Sequence, residues 1–211
     1  MHKLATLALA LTMMSVPAVA SANVSLGLRL GFGMPTGEVE TDADLKDGFA
    51  RQIPIQLDVN YGFTPNLRAG VYLSYGFGGV GDALAGLCDS PGVDCSTSDL
   101  RAGVQAFYDF SPKSTWSPWL GLGIGYEWAK LSVSDDAGND GSLTFSGMEF
   151  ANVQAGADYR VSPAFTVGPF LSYSMGQYSS ASASGDYPDT ELGDKSTHGW
   201  FQFGIRGTYG L

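Results

Sequence analysis

The residues that could do chemistry are few and scattered. His198 is flanked by Ser196 and Asp194, so a base, a hydroxyl nucleophile and an orienting acid lie within five positions. Neighbours in one loop are poor material for a triad, because a triad needs three groups held apart on a rigid frame. The bland expectation for His198 is a solvated loop side chain, and no catalytic residue is assigned. Asp136-x-Gly138-x-Asp140-Gly141 resembles the start of a calcium loop. It lacks the second carboxylate, and position 147 is Gly where the closing Glu would stand, so no metal site is assigned. No cofactor motif is present. Cys88 and Cys95 lie close together; in an exported chain such a pair forms a disulfide.

The remaining candidates are charges on strands. Counted from the turn end, Arg29, Asp58 and Arg206 fall at one depth on neighbouring strands, with Gln56 and Gln154 near them. Buried charges must be paired, which makes an internal structural network the first expectation and an ion gate the second. The glycines that share the inner face leave room for water. Arg68, Asp109, Asp158 and Arg160 form a second group at the turn-end mouth.

These side chains need a frame, and the frame is legible. Residues 1–22 read as a secretory signal peptide. His2 and Lys3 are basic, Leu4 to Met14 is apolar, and Ala20-Ser21-Ala22 offers small residues for cleavage. The apolar run is too short to span a bilayer. Residues 23–211 then form one domain.

That domain alternates with period two. Leu26, Leu28, Leu30 and Phe32 interleave with Gly27, Arg29 and Gly31; Leu120, Leu122, Ile124, Tyr126 and Trp128 interleave with Gly121, Gly123, Gly125 and Glu127. Eight such segments occur, each with the roughly 9–11 residues that a tilted strand needs to cross a bilayer. The face opposite the apolar one is rich in glycine and poor in aromatics, so it would coat a water-facing exterior badly. Three connections are short: Thr64-Pro65-Asn66, Ser111-Pro112-Lys113 and Ser162-Pro163-Ala164. Four are long, at about 35–51, 78–99, 131–148 and 178–198. Short turns at one end and long loops at the other are the pattern of an outer-membrane barrel. Aromatic residues collect at both strand ends, as two girdles would require. Lys130 and Glu149 are expected to point outward beside the third loop.

The loops are acidic. Glu38, Glu40, Asp42, Asp44 and Asp47 lie in the first; Asp82, Asp89, Asp94 and Asp99 in the second; Asp135, Asp136 and Asp140 in the third; Asp186, Asp189, Glu191 and Asp194 in the fourth. Without Lys3, ten basic residues face 21 acids, which excludes a nucleic-acid partner. Divalent cations are candidate partners of these loops, bridging to lipopolysaccharide phosphates.

The whole of residues 23–211 resembles the small outer-membrane barrels of the OmpA/OmpX and opacity-protein type. The carriers are the signal peptide, the Gly33-Met34-Pro35-Thr36-Gly37 exit from the first strand, the Tyr-x-apolar-Ser/Thr-Pro turns, and the last strand ending in Tyr209-Gly210-Leu211. Members usually end in Phe or Trp, and Leu211 departs from that. The resemblance implies an all-β, eight-stranded, antiparallel up-and-down transmembrane barrel in a bacterial outer membrane, in contact with lipid and lipopolysaccharide and expected to be a monomer. The family includes adhesins, stress proteins and narrow channels. The expected role is structural or surface-interacting through the four loops, with a narrow gated channel as the alternative and a lipid-A-modifying enzyme a distant third.

Overall fold

The computed structural model describes residues 23–40, 43–184, 190–193 and 196–211. The signal peptide expected at 1–22, the acids Asp42, Asp186, Asp189 and Asp194, and the side chain of Glu40 lie outside the described residues. Eight long strands follow in order: β1 (Val24–Glu40), β2 (Phe49–Gly62), β3 (Leu67–Val80), β4 (Val93–Asp109), β5 (Trp116–Asp135), β6 (Asp140–Arg160), β7 (Phe165–Ala183) and β8 (His198–Gly210). Each pairs antiparallel with its sequence neighbour. Strand β8 then pairs with β1, from Ser25 opposite Gly210 to Gly37 opposite His198, and the sheet closes on itself. Closure pairs each strand on both sides, so a chain in lipid satisfies its backbone within the barrel.

The alternation sets the two faces, and they are inverted relative to a soluble protein. Leu30 is 56% exposed while its neighbour Arg29 is 2% exposed; Leu122, on β5, is 65% exposed and Glu127 is 1% exposed. Between Trp116 and Trp128, both on the outside of β5, lie twelve residue steps, about 40 Å of strand. A tilt near 40° reduces this to about 30 Å, which matches the apolar thickness of a bilayer. Between the two aromatic levels the exterior carries no charged side chain among the described residues.

The strands run 13 to 21 residues, well past the 9–11 expected from bilayer thickness alone. Most of the excess is on β4 to β7, which continue together beyond the loop-end girdle. The third loop expected at 131–148 is therefore mostly a hairpin. Its tip is a tight turn in which the Asp135 carboxylate accepts from the backbone N–H of Ala137 and Asn139 and from Asn139 Nδ2, at 2.8–2.9 Å, with Gly138 at φ +83°. The hydrogen bond from the Asn139 side chain, aided by the backbone donors, holds that carboxyl below the usual range. The short helix α1 (Leu45–Gly48) drops Leu45, fully buried, into the loop-end mouth. On the β4 side, the Cys88–Cys95 disulfide ties the helix α2 (Asp82–Cys88) to the projecting strand.

Two expectations about the faces change. Glu149 points inward and is fully buried, because the register shifts between Glu149 and Ala151 and the extra residue keeps Phe150 on the outside. The inner face is also not poor in aromatics: Tyr72, Phe107, Trp119, Phe170, Tyr178 and Trp200 all point in and are buried. Several of the inward glycines make space for these rings. A Cβ at Gly121 would overlap the Phe107 ring, one at Gly156 the Trp119 indole, and one at Gly125 the Tyr72 hydroxyl.

An exterior meant for lipid has a measurable consequence. Leu122→Arg, at the middle of the apolar band, is expected to destabilise the barrel refolded in vesicles by about 2–4 kcal/mol. On a water-facing surface the same substitution would stay within about 0.5 kcal/mol. Denaturant unfolding of the two proteins in the same lipid separates these cases.

Candidate functional site

The barrel interior holds the chemistry-bearing side chains, and they form two layers. The lower layer lies toward the turn end. Arg29 donates from Nε to Asp58 Oδ2 at 2.9 Å and from Nη1 to Gln154 Oε1 at 2.6 Å. Asp58 Oδ1 accepts from Gln56 Nε2 at 2.7 Å and from Gln105 Nε2 at 2.8 Å. The expected mid-barrel network therefore assembles around Asp58, with Gln105 as a member that spacing did not single out. Arg206 stands opposite Arg29 in the β1–β8 register, but it bonds elsewhere than to Asp58. Its Nε donates to Thr208 Oγ1 at 3.1 Å, and its Nη2 lies 3.9 Å from Asp158 Oδ2.

The turn-end group divides. Arg68 and Asp109 form a two-pronged pair at 2.7 and 2.9 Å. Asp158 accepts from Trp119 Nε1 at 2.9 Å instead of pairing with Arg160, and Arg160 donates to the Pro112 carbonyl in the β4–β5 turn. Aromatic faces support the guanidiniums. Arg206 Cζ sits 4.4 Å from the Trp119 ring and 5.0 Å from Phe107, while Arg29 lies 5.5 Å from both Phe107 and Phe170.

The upper layer was not anticipated as a site. Asp99, placed by its sequence position in an acidic loop, is fully buried in the barrel and accepts from Gln52 Nε2 at 3.2 Å, with Arg101 Nε at 2.8 Å. Glu149 Oε1 accepts from Tyr72 Oη at 2.9 Å and Asn152 Nδ2 at 2.7 Å. Glu127 gathers three strands: Tyr178 Oη (2.7 Å) and Trp200 Nε1 (2.9 Å) donate to Oε1, and His198 Nε2 lies 3.1 Å from Oε2. His198 stacks on Tyr178, ring centroids 3.7 Å apart. The expectation of a solvated His198 is thus overturned. Strand β8 begins at His198 and turns it inward at 2% exposure, and its described partner is Glu127 rather than Ser196. The signal that could have found this layer is parity. Asp99, Arg101, Glu127 and His198 continue the inward phase of their strands.

Above this layer Val39, Leu45, Phe49, Leu192 and Trp200 close an apolar cap, with Phe145 and Ala181 against it. The rim outside carries Glu38, Asp82, Asp89, Asp94, Asp136, Asp140 and Glu191 exposed. At the other end the interior opens into a vestibule of about 700 Å³ whose wall includes Arg68, Asp109, Asp158 and Arg160.

Breaking one buried pair differs from removing it. Asp58→Ala leaves the Arg29 charge without its partner and is expected to cost about 3–5 kcal/mol. The double variant Arg29→Met, Asp58→Leu is expected to regain most of that loss. Equal unfolding midpoints for the single and double variants would show that the pair does not act as a unit.

Comparison with known proteins agrees with this architecture. Residues 6–169 match the family model described as "Outer membrane protein beta-barrel domain". A comparison with curated proteins finds no match. Among solved structures, a major outer membrane protein from Thermus thermophilus is similar at a TM-score of 0.54 and 12% identity, over 89% of this chain and 99% of that one. Ail, the attachment invasion locus protein of Yersinia pestis, solved with the heparin analogue sucrose octasulfate, is similar at 0.50 and 13%, over 87% and 99%. Neisserial surface protein A is similar at 0.49 and 18%, over 88% and 96%. At these identities the likeness concerns the fold. The closed, lipid-facing barrel and a family match over most of the chain make this protein a member of the outer membrane protein β-barrel domain family.

Proposed function

We propose that this protein is a closed outer-membrane barrel that does not conduct, and that it acts through its exposed loop-end rim. The observation that carries the reading is the filling of the interior. Two layers of hydrogen-bonded side chains, centred on Asp58 and Glu127, are buried to 2% exposure or less at Arg29, Asp58, Gln154, Arg101, Glu127 and Arg206. An eight-stranded barrel has room for its own side chains and little else, and the Leu45 cap covers the loop end.

The rim is rigid enough to present a surface. Strands β4 to β7 carry it beyond the bilayer as a continuous sheet, and the Cys88–Cys95 bond fixes α2 against that sheet. Among the described residues its exposed acids outnumber Lys46, Arg51 and Lys130, the exposed cations near it. Such a rim disfavours a polyanion of the kind bound in the Ail structure. Outer-membrane lipid and lipopolysaccharide are the nearest partners, with divalent cations bridging acid to phosphate. The protein acts as a monomer and performs no reaction; in support, His198 is held inside by Glu127 and stacked on Tyr178. Calcium titrated onto the refolded protein is expected to release heat, and a flat titration removes the cation from this reading.

A gated channel is the second reading, favoured by the vestibule that opens the turn end as far as Arg68, Asp109 and Asp158. Conductance in planar bilayers separates the two. Refolded residues 23–211 are expected to be electrically silent while migrating as the compact form on unheated gels. Discrete openings that change in Asp58→Ala would replace the closed barrel with the gated channel.

A further inference from the structure

The unmet hydrogen-bonding capacity of the interior differs between its two ends. Toward the turn end it is dominated by donors: Arg206 Nη1 and Nη2, Arg29 Nη2, Arg160 Nε and Ser117 Oγ have no hydrogen-bond partner among the described residues. Toward the loop end, unmet oxygens of Asp99, Glu149 and Asn152 and the second ring nitrogen of His198 stand beside unmet nitrogens of Arg101 (Nη2) and Gln202, so the two kinds are mixed. Charge divides more sharply. Four guanidiniums (Arg29, Arg68, Arg160 and Arg206) stand with three carboxylates (Asp58, Asp109 and Asp158) in the lower half. In the upper half Arg101 stands with Asp99, Glu127 and Glu149.

Arg206 is the centre of the lower imbalance. It is fully buried, and Asp158, its nearest carboxylate, is beyond hydrogen-bonding distance at 3.9 Å. The Cζ atoms of Arg29, Arg68 and Arg206 all lie within 5.5 Å of the Phe107 ring centroid. Gathering three cations on one ring is costly in a low dielectric unless counter-charge is close. The ring faces offset part of that cost, and Asp58 and Asp109 are already committed to Arg29 and Arg68. Thr208, which accepts from Arg206 Nε, Asp158 and Ser117 all line the turn-end vestibule, so the Arg206 guanidinium stands just behind its inner wall. Ser117 and Asp158 face each other across the β5–β6 pairing, which puts an unpartnered hydroxyl next to the carboxylate nearest Arg206.

We propose that the inner end of the turn-end vestibule is a binding site for a small inorganic anion of chloride size, held by Arg206 and Ser117 and entered past Arg68 and Arg160. The anion accepts from the free Nη groups and restores charge balance in the lower layer. Asp158 stands beside Ser117 and opposes the anion, which limits the site to a weakly hydrated monovalent ion. A multiply charged phosphate would meet both Asp109 and Asp158 and is disfavoured. The site is separate from the acidic rim and does not depend on the rim's role.

The test uses refolded residues 23–211 in one detergent, at one ionic strength, with chloride replaced stepwise by gluconate. Chloride is expected to raise the unfolding midpoint, read from the loss of the compact form on gels, by about 3 °C. The increment is expected to vanish in Arg206→Met and to shrink in Arg160→Gln. An equal increment in Arg206→Met, or none in the unaltered protein, overturns the proposal. Should Arg206→Met not fold, crystals of the unaltered protein grown with bromide decide the matter. An anomalous peak between Arg206 and Ser117 supports the site, and bromide found elsewhere or nowhere rejects it.

Discussion

A sheet that closes in lipid must put its apolar side chains outward and leave its polar side chains facing one another in a narrow bore. Everything else in this molecule follows from that inversion. Eight strands enclose a space that side chains fill, so an inward charge has no solvent to fall back on. It must be paired by another inward residue at the same depth. Asp58 meets this demand with Arg29, Gln56 and Gln105, donors drawn from three strands. Glu127 meets it with Tyr178, His198 and Trp200 from two. These carboxylates act as knots across the bore, and strand registers that differ by one residue would undo them.

Period two made most of this legible from the sequence. It fixed the number of strands, their faces, and the depth that brings Arg29 to Asp58, because phase along a strand survives without knowledge of the partner. It could not show where the alternation ends. Asp99 and His198 sit in polar surroundings that read as loop, yet both keep the inward phase of the strand beside them, and the strands continue past the bilayer to include them. Glu149 was misplaced for a different reason. One inserted residue at Phe150 reverses the parity, and composition gives no sign of a bulge at that point.

The glycines show how a local reading and a packed one can diverge. An inner face rich in glycine looks empty, since each position lacks a side chain. In three dimensions that absence is the mould for a large neighbour: Gly121 for Phe107, Gly156 for Trp119, Gly125 for Tyr72. The first two rings come from the adjacent strand and the third from two strands away, far along the chain in two of the three cases, so no window of sequence pairs them. Packing of this kind between strands also explains why the aromatic support beneath Arg29 and Arg206 was invisible while the arginines were not.

Depth also sorts the interior by charge, and this bears on what the barrel can do. Guanidiniums are in excess toward the turn end and carboxylates toward the loop end, so any ion moving through would meet an attractive region and a repulsive one, whichever its sign. A pore selective for one sign places like-signed rings in series. Here the two layers oppose each other and each is knotted across the bore. The loop end adds the Leu45 cap and, outside it, a third region that is acidic. Charge ordered in this way sets opposite signs in series along the bore, and the Leu45 cap packs on Tyr178 and Trp200, so the loop end rests on the same side chains that hold Glu127.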